Sequence, residues 1–233
     1  SAGSTGALLA SSLLLLGKIK GINRPAFAPY IPTSSKNGFL LCDAGANSES
    51  KPSHMLQFAI MASAYIEHLE NIPNPKIALL NIGQEESKGN DLYIESHKLL
   101  KNSLQNFIGN IEARYLMSGK ADIVVCDGFT GNIALKLIEG VFNNLISWFK
   151  AILATNSPED QSILLPIINN LKVMLDHEEH GASPLLGVNG IVLKAHGSST
   201  KKGIFSSLEA AKTAHESNLI SDMISKLEES LIA

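Results

Sequence analysis

Residues 121–140 read ADIVVCDGFTGNIALKLIEG and pass from a buried strand through a polar, Gly-rich loop into a helix. Ile123, Val124, Val125 and Cys126 form a short apolar run rich in β-branched residues, and Asp127-Gly128 stops it, which favours a strand over a helical segment. Gly131-Asn132 opens the next element, beyond which apolar residues recur at helical spacing. Loop N–H groups and the first amides of a helix, set beyond the carboxyl end of a strand, attract anions through unpaired donors and the helix dipole together. Phosphate is the ligand such a loop implies first.

Working outward, the same grammar recurs. Residues 38–47, GFLLCDAGAN, predict a strand from Phe39 to Cys42 with an exit loop from Asp43 to Asn47. Residues 76–83, KIALLNIG, predict a third buried strand ending in Asn81 and Gly83, and its exit loop, 84–90, carries Glu85, Glu86, Lys88 and Gly89. A strand over 191–194 runs into Ala195-His196-Gly197-Ser198-Ser199. At the start, SAGSTG with Ser4, Thr5 and Gly6 precedes a Leu-rich run, 7–16, read as a well-buried helix. Pro25, Pro29 and Pro32 restrict 21–33 to a connector or an edge strand, because proline cannot donate to a sheet ladder.

Helices fill the intervals. Lys51-Pro52 starts one with proline in its tolerated first turn, and others are expected near 91–101 and over 202–231, with a short strand at 107–108. Apolar residues recur from Ile133 to Leu153, Ser157-Pro158-Glu159-Asp160 breaks the pattern, and a second helix runs to about residue 175, so 131–177 reads as a helical hairpin. Strands alternating with helices define an α/β fold with a mainly parallel sheet covered on both faces, whose exit loops gather at one edge. The whole of 1–233 reads as one α/β catalytic domain with the hairpin inside it.

Composition narrows the function. A chain of 233 residues that is 45% hydrophobic can bury a full core, and a net charge of -3 with scattered Lys and Arg argues against a nucleic-acid partner. Cys42 and Cys126 each close an apolar run and read as buried free thiols, which suits a reducing cytoplasm. The run 7–16 is about half the length a bilayer crossing requires, and it lacks the basic leader of a signal peptide. The chain opens at Ser1 without Met, directly in a Gly/Ser loop, as a fragment or processed product would.

The residue inventory offers anion cradles without an obvious attacking group. Gly and Asn are what tight turns need, so any one loop alone is explained as a turn; several at one sheet edge are not. Asp43 and Asp127 could ligate a metal, but helix capping by Asp is commoner, and no HxxxH or CxxC pattern accompanies them, so neither metal nor cofactor is expected. GxSxG and GxGxxG are both absent. Lys88 and Lys194 suit phosphate neutralisation, and His196 suits either general base work or a structural hydrogen bond.

The stretches SAGSTGALL, IKGINRPA, DAGAN, KPSHMLQFAIM, LLNIGQEESKGN, GNIEAR, VVCDGFTGN and KAHGSS together resemble the phosphate acyltransferases of bacterial phospholipid synthesis, in family order and over nearly the whole chain. The resemblance implies a Rossmann-like three-layer sandwich related to isocitrate and isopropylmalate dehydrogenases and to phosphotransacetylases. It implies formation of acyl phosphate from acyl carrier protein thioesters and inorganic phosphate, for later acylation of glycerol 3-phosphate by a membrane acyltransferase. Lys88, His196 and Asn132 are then the expected catalytic residues, Lys88 neutralising charge and His196 serving the oxyanion. Ser4, Thr5, Gly6, Asp43, Asn47, Asn81, Gly83, Asp127, Gly128, Gly131, Lys194, Ser198 and Ser199 are the expected phosphate and substrate contacts. A cytoplasmic homodimer with peripheral membrane contact is implied, the hairpin tip at Trp148, Phe149, Ile152 and Leu153 entering the lipid surface.

Ser4 and Gly181-Ala182-Ser183-Pro184 depart from the family's usual SAGNTGA and GGAP-like loops while staying small. The family's amino-terminal third, with its first strand and Asp-Ala-Met-Gly-Gly-Asp loop, has no counterpart here. The alternative readings are a metal-dependent dehydrogenase or phosphotransacetylase relative, and a non-catalytic fragment that binds carrier protein or membrane.

Overall fold

The computed structural model describes residues 1–33, 38–155, 157–174, 182–197 and 199–232. Its elements are α1 (Thr5–Leu15), β1 (Ala26–Phe27), β2 (Tyr30–Ile31), β3 (Phe39–Cys42), α2 (Pro52–Leu69), β4 (Ile77–Asn81), α3 (Asp91–Ser103), β5 (Phe107–Glu112), β6 (Ile123–Val125), α4 (Gly128–Ala154), α5 (Pro158–Met174), β7 (Ser183–Leu186), β8 (Leu193–Lys194), α6 (Lys201–Glu216) and α7 (Leu219–Ile232), with a 3-10 turn at Ala113–Ser118.

A five-stranded sheet in the order β2-β3-β6-β4-β5 forms the middle layer. Strands β3, β6, β4 and β5 are parallel, and β2 closes one edge antiparallel, with Tyr30 opposite Leu40 and Ile31 opposite Phe39. Side chains alternate across a strand, and these strands are buried on both faces. Leu40, Cys42, Ile77, Leu79, Ile123 and Val125 pack on one side, against α2 and behind it Met223 and Leu227 of α7. Phe39, Leu41, Ala78, Leu80, Val124 and Cys126 pack on the other, against Ala134, Leu135 and Ile138 of α4. The result is the three-layer α/β sandwich, and the turns leaving β3, β4 and β6 share its carboxyl edge.

Four expectations are corrected. The strand over 191–194 does not join the parallel sheet: β8 pairs with β7, and β7 with β1, in a separate antiparallel sheet of three strands. The short strand at 107–108 extends to Glu112, because β4 offers a parallel partner as far as Asn81. The helix over 202–231 is two helices, since Asn218 turns the chain through the left-handed region at φ 56°. The helix over 7–16 is not well buried: Leu8 and Leu9 pack on Phe27, Leu185 and Val188, whereas Leu14 and Leu15 are 85% and 83% exposed. A helix that is apolar all round can lay only one face on the body it touches.

Candidate active site

Two aspartates knot the exit loops together. Asp43, fully buried, accepts hydrogen bonds at Oδ1 from the N–H groups of Phe27 (2.9 Å), Gly45 (3.2 Å) and Ala46 (3.0 Å), and at Oδ2 from Asn47 N–H (2.8 Å) and Asn47 Nδ2 (2.9 Å). Burial raises its pKa, and these donors oppose the rise. Asp127 caps α4: Oδ1 accepts from Thr130 N–H (2.9 Å), while Oδ2 accepts from Thr130 Oγ1 (2.7 Å) and from the Tyr93 hydroxyl (2.5 Å). Burial pushes its pKa upward, but the hydrogen bonds from Tyr93 and Thr130 outweigh that and hold it below the usual carboxylate range.

These carboxylates occupy the places that the sequence pattern offers to an external anion. The amides of Gly45, Ala46 and Asn47, and that of Thr130 in the first turn of α4, already have a carboxylate acceptor within the chain. Of the expected phosphate contacts, Asp43, Asn47 and Asp127 thus tie these turns together through hydrogen bonds within the chain. Gly128 and Gly131 belong to the same knot: a Cβ at Gly128 would collide with the Asn47 carbonyl oxygen, and one at Gly131 with that of Asp43. Only glycine lets α4 start so close to the neighbouring loop. The Cys42 and Cys126 thiols are buried and their pKa values are pushed well up by burial, so neither is a thiolate nucleophile.

A second group lies beyond β4. Asn81 Nδ2 donates to the Lys88 carbonyl (3.0 Å), and Gly89, at φ +96°, brings the loop back where a Cβ would stand 2.8 Å from Asn81 Oδ1. Gly83 is buried against the Lys88 side chain. Lys88 itself is exposed and is not among the cleft's described lining residues; the structure does not bring it together with His196.

The cleft, of about 390 Å³, opens between α4 and the β1–β2 segment. Thr5, Ser183, Lys194 and His196, with Asn132, Lys136, Glu139 and Asn143 of α4, supply its polar lining. Lys194 is half-buried, and burial lowers its pKa, with the positive charge of Lys136 adding to this and Glu139 opposing it. Lys136 and Glu139 are themselves paired at 2.8 Å. Ser1 lies beside β8 and its exit: its amino group donates to the Leu193 carbonyl (2.9 Å), and Ala195 N–H donates to the Ser1 carbonyl (2.8 Å). Ser4 stands at the N-cap of α1 and makes no side-chain bond to its amides, and Gly6 in that first turn has open space around it. The first turn of α1, beside Thr5, thus lacks the side-chain cap that Asp127 gives to α4. Ser199 N–H closes a turn onto the His196 carbonyl (3.0 Å), and Ser198 lies outside the described residues.

Lys136, Glu139 and the Tyr93 brace were missed from sequence. Lys136 and Glu139 follow Asn132 at helical intervals, a signal masked by the apolar residues on the same helix. Tyr93 carried none, as its partner lies 34 residues away.

Among the hairpin residues, Trp148, Phe149 and Ile152 are 62%, 41% and 58% exposed, but Leu153 is buried. One residue past Ile152 the helix has turned by about a quarter to a third of a revolution, which takes the Leu153 side chain off the exposed face of the tip. Residues 175–177 of the expected hairpin lie outside those described. Phe129, Ile133, Leu137 and Val141 form a second exposed stripe at four-residue intervals along α4. Among the described helices, α4 alone has the length and apolar composition to cross a membrane, a property of length and composition only. No group of three or more His, Cys, Asp or Glu suited to a metal occurs among the described residues.

A family model described as fatty acid synthesis protein matches residues 1–222. The phosphate acyltransferase of Geobacillus sp. (strain WCH70) is 45% identical over 231 residues, covering 98% of this chain and 70% of that protein. That of Thermoanaerobacterium thermosaccharolyticum is 48% identical over 231 residues, covering 98% and 69%. Among solved structures, the EutD phosphotransacetylase from Staphylococcus aureus superposes with a TM-score of 0.56 at 16% identity, over 91% of this chain and 60% of that one. A branched-chain phosphotransacylase from Enterococcus faecalis V583 gives 0.55 at 18% identity, over 90% and 70%. At such identities the likeness is one of fold.

Proposed function

The chain belongs to the phosphate acyltransferase family of enzymes, and on that premise we propose that it forms acyl phosphate from an acyl carrier protein thioester and inorganic phosphate, in the cleft between α4 and the β1–β2 segment. The observation that carries this reading is the make-up of the cleft: a helix N-terminus without a side-chain cap, Lys194 and His196 come together in a cleft of mixed polar and apolar lining.

The chemistry asks for nothing more. A phosphate oxygen attacks the thioester carbonyl carbon, the tetrahedral oxyanion collapses, the C–S bond breaks and the thiol leaves with a proton. Phosphate is the nucleophile, and the departing thiol has an ordinary pKa of about 8.5, so the leaving group needs little help. What the protein must supply is approach and fixed donors for the oxyanion. In this reading the α1 amides and Lys194 hold phosphate, His196 and Asn132 face the thioester oxygen, and the part first assigned to Lys88 passes to Lys194.

Acyl phosphate trapped with hydroxylamine tests it. Replacing Lys194 by Met is expected to raise the KM for phosphate by about tenfold to a hundredfold, the worth of one hydrogen bond to a charged group, and Lys88→Met to change it less. Equal effects of the two substitutions would overturn the assignment.

We further propose that the product feeds a membrane enzyme acylating glycerol 3-phosphate, and that the protein is a cytoplasmic homodimer touching membrane through the hairpin tip. The exposed stripe Phe129, Ile133, Leu137 and Val141 supports self-association, since contiguous apolar surface of this kind marks interfaces. Leu137→Glu should turn a dimer into a monomer in sedimentation; an unchanged mass would exclude this stripe as the interface.

A further inference from the structure

We propose that the loop 17–24 and the start of α2 form the docking surface for an acidic protein, the carrier that delivers the acyl thioester; this rests on the cleft being the acyl-transfer site. Residues 1–42 contain no Asp or Glu but hold Lys18, Lys20 and Arg24. Ile19 and Ile22 are buried and pin the loop to the core, while Lys18, Lys20 and Arg24 between and beside them stay exposed. α2 carries the loop. Lys51 at its N-cap, His54 and Gln57 follow at intervals of three residues, along one side of a helix. Buried Gln57 accepts from Asn23 N–H (2.8 Å) and donates to the Gly21 carbonyl (2.8 Å), and Lys18 Nζ donates to the Asn23 carbonyl (2.9 Å). On the other flank Ile19 N–H donates to the Gly187 carbonyl (3.1 Å), and Asn189 N–H to that of Gly17 (3.0 Å). Burial lowers the His54 pKa, and the charges of Arg24, Lys51 and Lys18 add to the fall. Cations scattered along the sequence thus stand together around one side chain.

Among the described residues, Lys18, Lys20, Arg24 and Lys51 make no ion pair, and Glu49, exposed beside Lys51, is the nearest acid in sequence. Positive charge left uncompensated on a fixed loop attracts an anionic partner and orients its approach. Leu14, Leu15 and Leu16 are exposed and directly precede the loop, so apolar area borders the charge, as in a protein interface with an apolar centre and a polar rim. α1 joins this surface to the chemistry. Thr5, its first residue, lines the cleft, and Leu15, its last, stands about 15 Å away along the axis, at about 1.5 Å per residue. A thioester held on a carrier's flexible arm needs its carrier seated beside the cleft and not in it. A rigid patch one helix length from the cleft meets that need, whereas a lipid surface sets no such distance.

The test compares wild type with the double substitution Lys18→Glu and Arg24→Glu, and with the milder pair Lys18→Gln and Arg24→Gln. Fluorescence anisotropy of a labelled octanoyl carrier protein, titrated with each enzyme in the absence of phosphate, gives Kd, and acyl phosphate trapped with hydroxylamine gives kcat at saturating carrier protein. The charge reversal should raise Kd by about tenfold or more and the neutral pair should raise it less, in the range by which electrostatic steering alters association. Both effects should shrink with added salt, and kcat should stay unchanged. Should the reversal lower the melting temperature, the neutral pair decides. If wild type makes acyl phosphate and Kd is the same in all three proteins, the loop does not dock the carrier. If Kd holds while the reversal abolishes sedimentation with anionic liposomes, the surface is a lipid contact and the proposal is overturned. If wild type makes acyl phosphate from no donor, the acyl-transfer reading falls and the docking surface with it.

Discussion

Lys194 and Asp127 have opposite fates on folding, and each follows from what surrounds it. Asp127 gains donors and its pKa falls; Lys194 loses water and its pKa falls too, which for a base means an earlier loss of charge. If Lys194 holds phosphate as an ammonium, binding weakens as pH rises through its depressed pKa. The KM for phosphate should therefore climb on the alkaline side, below the ordinary lysine range. Lys194→Arg, whose guanidinium keeps its proton, should flatten that limb. A wild-type profile with the same alkaline rise as the Arg variant would remove Lys194 from the phosphate site. Asp43 and Asp127 were legible in sequence as special residues, but not as what they are. A short polar residue after a buried strand can greet a ligand or tie the turn, and only the five hydrogen bonds at Asp43 decide for the latter.

Among the elements, β3, β4 and β6 with their exit loops could be read directly, because uninterrupted apolar runs bounded by Asp-Gly or Asn leave little choice. The antiparallel sheet β1-β7-β8 could not. Its strands are two to four residues long, and β1 is separated from β7 and β8 by most of the chain, so pairing partners and not local pattern define them. That sheet matters for function, since it delivers Lys194 and His196 to the cleft. Helix α4 carries both kinds of information: its apolar spacing was plain, but which turn faces the cleft, the sheet or solvent depends on neighbours. The same holds at the hairpin tip. Ile152→Glu should reduce sedimentation with anionic liposomes without lowering activity on soluble substrates, because the side chain is exposed. Leu153→Glu should instead lower the melting temperature, as it places a charge in a buried position. Liposome binding unaltered by Ile152→Glu would remove the tip from the membrane contact.

Over the whole molecule, the three-layer sandwich sets a rigid edge on which loops and helix starts converge, and the comparisons place the chain in a family whose named activity is acyl transfer to phosphate. Two of the apparent anion cradles at that edge are filled by the protein's own carboxylates. The remaining polar mouth belongs to α1, β8 and α4 jointly, with α1 distant in sequence from both of the others, which explains why the loops were visible in sequence while their division of labour was not. In this account a phosphate oxygen attacks the acyl carbon and no P–O bond breaks, so every oxygen of the phosphate must survive into the product. The direct measurement is mass spectrometry of the product made from a palmitoyl carrier-protein thioester and phosphate labelled with oxygen-18. The account predicts acyl phosphate retaining all the labelled oxygens, with the carbonyl oxygen unlabelled. Palmitate carrying an oxygen from water, formed at the same rate without phosphate, would contradict it and identify a thioester hydrolase.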